Sequence, residues 1–257
     1  MKFDIDRTEY KRINTKQIYI DPLYQRDLDN AKVQRIVKNY DPLKLNPLKV
    51  SFRDGRYYVF DGQHTRAALI RMHNGHDCLV PCRVYYGLTR VDEMNLFLAQ
   101  NGEASPVAIA QKYRALYNFG DPDITDMVRA CEYAKVLCDF TNARGRNKCI
   151  CYRTLYEYYR LLDRASFITM LSSIRSTWNG DSASFRREII SGYGELFLAY
   201  GDKLDIKRLI KKLSEVSCYE IIREGRIGNA PGGKKFARII LRQYNRGLRN
   251  NTLEDKF

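Results

Sequence analysis

The periodicity of this chain changes at Pro106, and that change limits the folds open to it. Before that residue, apolar side chains alternate in short runs bounded by Asp, Asn, Gly and Pro; after it they recur at helical spacing almost to the end. Short strands are expected at 15–20, at 47–52 and 57–60 about the turn Arg53-Asp54-Gly55-Arg56, and at 79–86. Between them the pattern predicts a helix capped by Asp29 or Asn30, with Val33, Ile36 and Val37 on one face, and helices near 65–73 and 91–99. Beyond Pro106 the expected helices are 106–118, 123–139, 151–162, 164–175, 182–200, 205–214, 217–224 and 234–247, with Asn229-Ala230-Pro231-Gly232-Gly233 as a connection before the last. The class is α+β: a small mixed sheet with helices over 1–104, followed by a mostly helical, basic domain over 105–257.

The stretch with most chemistry is Tyr57-Tyr58-Val59-Phe60-Asp61-Gly62-Gln63-His64-Thr65-Arg66-Ala67-Ala68-Leu69. A strand that passes through Gly into a helix leaves backbone N–H groups without helical partners at an electropositive end, which is where anions and phosphate bind. Gln63, His64, Thr65 and Arg66 add amide, imidazole, hydroxyl and guanidinium groups. The plainer reading is a hairpin and a helix with a capping Thr and solvated charges.

Net charge is +14, from 44 Lys and Arg against 30 Asp and Glu, which favours a polyanionic partner. The excess is densest over 207–250, where Lys207, Arg208, Lys211, Lys212, Lys234, Lys235, Arg238, Arg242 and Arg246 are the expected nucleic-acid contacts. The seven cysteines are odd in number and scattered, which suits reduced thiols. No apolar run is long enough for a membrane span, and the start of the chain is too polar for a signal peptide, so the cytoplasm is the expected location and no membrane partner is expected.

Other constellations weigh less. His73, His76, Cys78 and Cys82 are ligand types at a spacing unlike common zinc motifs, and Cys149-x-Cys151 lacks the two-residue spacer of thiol oxidoreductases. Tyr152, Tyr156, Tyr158 and Tyr159 with Arg153 and Arg160 could clamp bases, but Tyr152, Leu155, Tyr159 and Leu162 keep core spacing. Trp178 reads as a core anchor.

The order strand, Gln-Arg loop, helix, two strands, Gly-polar elbow, helix, strand, helix, Asn resembles the N-terminal domain of the ParB/sulfiredoxin superfamily over about 13–104, and Asp61-Gly62-Gln63-His64 looks like its Asp-Gly-Gln-His subgroup of plasmid, phage and DNA-modification proteins. The resemblance implies a nucleoside triphosphate at the elbow with Mg²⁺ as companion. By position, Gln25 and Arg26 match the first polar loop, Gly62, Gln63, His64, Thr65 and Arg66 the phosphate-binding elbow, and Gln100 and Asn101 the pair that holds metal. ParB proteins that use CTP have Gly-Glu-Arg-Arg at the elbow, so Gln63, His64 and Thr65 are departures, as is Ala104 in place of a later Arg. Sulfiredoxins carry a catalytic Cys where this chain has Gln63, which excludes their chemistry. A helix-turn-helix region reading DNA follows the domain in ParB proteins, and 105–113 has a start signal for one.

The leading expectation is a ParB-like protein of plasmid, phage or mobile-element type. It binds a nucleotide at the elbow through Arg66 and the backbone amides, and nucleic acid, with DNA the favoured polymer, through the helical half. A homodimer is left open. The rival is an enzyme of the same superfamily, a metal-dependent NTP hydrolase, small-molecule kinase or nuclease, with His64, Asp61 or Glu103 as general base or metal ligand. A third reading is an interaction scaffold with a degenerate site.

Overall fold

The computed structural model describes residues 7–25, 27–100, 106–227 and 232–257, and leaves the side chains of Gln100, Pro106, Val107 and Ala108 out of that description. The chain forms two compact units, 1–119 and 120–257. The helix 106–118, which the change of periodicity placed in the second domain, packs with the first: Ala115 is buried in its core and Asn118 Nδ2 donates to Leu23 O at 3.0 Å.

The first unit is built on a five-stranded mixed sheet of order β1-β5-β3-β4-β2, comprising β1 (Thr8–Asn14), β2 (Ile18–Tyr19), β3 (Leu48–Arg53), β4 (Arg56–Asp61) and β5 (Leu79–Tyr86). β1 runs antiparallel to β5, β5 parallel to β3, β3 antiparallel to β4, and β4 parallel to β2. Alternation separates two faces, as the period of two requires. Leu48, Val50, Val59, Val80, Cys82 and Val84 pack with Leu69 of α2 (Gln63–Met72). On the other face Phe60 meets Tyr24 and the α3 (Arg90–Gln100) residues Met94 and Phe97, with α4 (Pro106–Asn118) against them. α1 (Asn30–Lys38) is capped by Asp29, whose carboxylate accepts from Ala31 N and Lys32 N.

β1 is an element the sequence did not announce. Its Tyr10 is exposed and only its Ile13 is buried, so the alternation that marks a half-buried strand is weak; it is an edge strand blunted by charge. The expected strand at 15–20 is shorter than the pattern predicted, because Thr15–Gln17 is a 3-10 turn.

The second unit contains α5 (Pro122–Tyr133), α6 (Tyr152–Leu161), α7 (Arg164–Thr177), α8 (Arg187–Tyr200), α9 (Ile206–Leu213), α10 (Cys218–Ile227) and α11 (Lys234–Asn245). α8 is buried on most sides because its small residues admit neighbours closely. A Cβ at Gly194 would stand 2.3 Å from the Tyr158 ring, and one at Gly192 would meet Phe236 and Ile240 of α11 within 2.9 Å. The C-terminal segment straps this pair: Asn245 exchanges two hydrogen bonds with Leu253, Tyr200 OH donates to Glu254 O, and Arg238 pairs with Asp255. α5 ends well before residue 139, where Lys135 turns into the left-handed region at φ 57° and Val136 N closes onto Cys131 O.

Candidate anion site at the strand-to-helix elbow

The elbow forms where β4 leaves the sheet. A register shift between Lys49 and Val50 bends the β3–β4 ladder, and Asp61 comes to lie opposite Lys49, with which it pairs at 3.5 Å. Gly62 follows at φ 99°, a conformation that favours Gly, and its missing side chain gives room to Leu48, whose Cδ2 a Cβ would approach to 2.5 Å. α2 then starts at Gln63 rather than at Thr65 as the pattern predicted, with no side-chain cap, and Arg66 N donates to Gly62 O at 2.8 Å as the first helical bond. The N–H groups of Gln63, His64 and Thr65 have no carbonyl one turn earlier within the helix, and the helix dipole is directed along them.

In front of this end lies a small cavity of about 110 Å³ bounded by Gln25, Lys32, Phe60, Gly62, Thr65 and Phe97. It adjoins a groove of about 580 Å³ that runs past Lys32 and Arg35 to Asn39 and Lys44. That volume is of the size that takes a small organic ligand. Lys44 is engaged by Asp41 at 3.3 Å. Lys32 and Arg35, three residues apart on α1, present two cations to the groove opposite the α2 N-terminus.

The polar side chains expected at the elbow have different fates. Gln25 is buried and donates through Nε2 to Val59 O at 2.7 Å, which fixes the loop to β4. His64 is 5% exposed, and its Nε2 accepts from Asp29 N at 3.1 Å. A backbone N–H can only donate, so that nitrogen is the acceptor and the proton of a neutral ring sits on Nδ1. The backbone N–H groups of Lys32 and, after it, Ala31 hold the Asp29 carboxyl below its usual range against desolvation, with the charge of Arg35 adding to them. The ring thus joins the start of α2 to the cap of α1.

Arg66 departs most from expectation. Its Nε and Nη2 both donate to Thr15 O, at 3.2 and 2.7 Å, and it lines neither the cavity nor the groove. Burial pulls its pKa down, opposed by Asp77 and Cys78. The guanidinium is a tie between α2 and the turn after β1, and the cations that line the groove are Lys32, Arg35 and Lys44 instead. The sequence signal for them was the i, i+3 spacing beside the core position Val33, which is indistinguishable from a solvated helix face.

Arg26, Asn101 and Glu103 lie outside the described residues, as does the side chain of Gln100. Among the described residues no group of three His, Cys, Asp or Glu is arranged to hold a metal ion. The carboxylates at the groove are Asp41 and Asp61. Both are paired with lysines, Asp41 with Lys44 and Asp61 with Lys49. The His73–Cys82 cluster does not form: His73 Nδ1 lies 2.8 Å from Leu69 O at the end of α2, and Cys82 is buried in β5.

The basic helices of the second unit divide into committed and outward charges. Arg208 donates to Tyr244 O and Arg246 O, Lys212 pairs with Glu215, and Arg242 pairs with Glu224. Lys207, Lys211, Lys234, Arg238, Arg242 and Arg246 are exposed, Lys235 partly so. A side chain bridged at the surface can still face a polyanion, since such bridges are weak and exchange readily.

The model of a family described as of unknown function (DUF6551) matches residues 19–257. No curated protein matches. Among solved structures, the chain is similar to the C-terminally truncated chromosome-partitioning protein ParB from Caulobacter crescentus complexed with CTP-gamma-S, at 13% identity over 80% of this chain and 98% of that one, with a TM-score of 0.32.

Proposed function

The chain belongs to the DUF6551 family of unknown function, and from its own residues we propose that it is a nucleotide-binding protein of the ParB-like, Asp-Gly-Gln-His type whose second unit holds nucleic acid. The observation that carries this reading is the uncapped N-terminus of α2, entered through Gly62 and opening onto a groove with Lys32 and Arg35. Backbone N–H groups, a helix dipole and two cations around one opening recognise phosphate. The groove is large enough for a triphosphate with its sugar, and Mg²⁺ at Asp61 would neutralise further charge.

Binding is favoured over catalysis by His64. A general base needs a lone pair aimed at the nucleophile, and Nε2 spends its own on Asp29 N. The basic surfaces of α9 and α11 supply the nucleic-acid half of the proposal, with DNA as the favoured polymer.

The test is thermal stabilisation of the purified chain by ATP, CTP, GTP and ADP, with and without Mg²⁺. A ligand bound only by the folded state stabilises it by about 2.7 kcal/mol at 100 times its Kd. Lys32→Ala is expected to weaken the stabilising nucleotide roughly 10-fold, the loss of one charge-assisted contact. Arg66→Ala is the contrasting variant: it removes two hydrogen bonds to Thr15 O and lowers the stability of the unliganded protein by about 1.5–3 kcal/mol, with nucleotide affinity retained. Equal affinity in Lys32→Ala and the parent would overturn the site; no stabilisation by any nucleotide would overturn the function.

A further inference from the structure

The second unit has a cavity unrelated to the elbow. It is about 500 Å³ and is lined by Arg144, Arg146, Trp178, Asn179, Asp181 and Ser182. Two loops form its walls and are latched to each other. Asn147 N donates to Gly180 O at 2.8 Å, and Arg146 Nε donates to Asn179 O at 3.1 Å. Asn179 and Gly180 both adopt positive φ, and a Cβ at Gly180 would strike Asn147 Oδ1. The loops are held at close range by geometry that few residues tolerate, so the cavity is preformed.

Trp178 is oriented as well. Its indole Nε1 donates to Val216 O at 2.9 Å and its ring meets Tyr193 edge-on at 6.0 Å, which leaves it half-buried at the cavity. Its sequence context marks a core anchor, and these contacts are the anchoring half. The other half is a fixed aromatic surface beside two exposed arginines.

We infer that this cavity receives an unpaired nucleobase of a single-stranded nucleic acid, stacked on Trp178, with the flanking phosphates on Arg144 and Arg146. Base stacking on an aromatic ring tolerates any base and is unavailable to a base inside a duplex. Asp181 accepts from Ala183 N through Oδ1 at 2.7 Å. A carboxylate repels phosphate and accepts from the N–H groups of a base edge, so the base belongs on the Asp181 side and the backbone on the arginine side. Asn179 and Ser182 add polar groups for the same edge. The inference rests on the proposal that the second unit binds nucleic acid, and names where and in what form.

The chain has one tryptophan, so its emission reports this site alone. A labelled oligo(dT) followed by fluorescence polarisation reports binding anywhere on the protein, and Trp178 emission is read in the same titration. The expected result is saturable quenching whose isotherm follows the polarisation, weakened by salt, with little quenching by a duplex of the same length. Arg144→Gln, which leaves the Arg146–Asn179 latch in place, is expected to weaken both isotherms several-fold, the loss of one phosphate contact. Trp178 emission of the variant before titration verifies its fold. A polarisation change without quenching would overturn the site while leaving nucleic-acid binding intact. Equal quenching by duplex, or an unchanged isotherm in Arg144→Gln, would also overturn it. Neither signal would overturn the site together with the nucleic-acid reading.

Discussion

Arg53→Ala is expected to destabilise the first unit by about 3–5 kcal/mol, the cost of leaving buried charges without their partner. Arg53 Nη2 meets Asp21 Oδ2 at 2.6 Å and its Nε meets Glu93 Oε1 at 2.7 Å, with Asp21 at 2% and Glu93 at 0% side-chain exposure. Tyr24 OH donates to the other Glu93 oxygen at 2.9 Å, and the guanidinium lies 3.7 Å over the Tyr58 ring. Burial opposes the charge on Arg53, but Glu93 and Asp21 outweigh it and its pKa is pushed up. Without the guanidinium, Asp21 retains Arg90 at 2.8 Å while Glu93 retains only a phenol among its described hydrogen-bond partners. Denaturant unfolding followed by circular dichroism measures the loss; Trp178 emission does not serve, because that residue lies in the second unit. A change under about 1 kcal/mol, the range of a surface ion pair, would show the network to be solvated. The network is also what seats the 21–25 segment, and with it Gln25, against β3 and α3.

Gly62→Ala is expected to cost about 2–5 kcal/mol and to remove anion binding. The strain of a side chain in the left-handed region adds to the overpacking of a Cβ driven to 2.5 Å from Leu48 Cδ2. Relief requires either Leu48 to leave its place in the core or the turn to move away from it, and the second displaces the first amides of α2. Calorimetric titration with the stabilising nucleotide, alongside the unfolding curve, separates the two losses. Unaltered affinity in a destabilised variant would mean that the amides after Gly62 do not hold the ligand.

Much of the architecture was legible because local signals agreed. The turn Arg53-Asp54-Gly55-Arg56 between alternating runs gave the β3–β4 hairpin, and Asp29 with Val33 gave α1 and its cap. Where the signals were missed, the deciding interaction was distant in sequence. β1 takes its place by pairing with β5 more than sixty residues later, and its own residues carry charge where the buried pattern would show. The stop of α5 is encoded by Lys135 in a conformation usual for Gly, so the sequence offered no mark of it.

The site divides in the same way. That a strand hands over to a helix through Gly62 is a local property and was readable. Which polar side chains face the groove is a tertiary one: Arg66 turns to Thr15, fifty-one residues earlier, and His64 turns to Asp29. Lys32 and Arg35, which line the groove where Arg66 does not, come from α1, an element whose basic face looks like any exposed helix. Trp178 is readable as an anchor, but the cavity beside it depends on a loop more than thirty residues earlier.

A phosphate held at the elbow rests on the first amides of α2. The backbone amide resonances of Gly62, Gln63, His64 and Thr65 report that contact when followed by nuclear magnetic resonance while the stabilising nucleotide, and then inorganic triphosphate, is titrated. Saturable shifts are expected at these four amides with both ligands, and none in Gly62→Ala. Shifts confined to other residues, with these four unmoved at saturation, would contradict it.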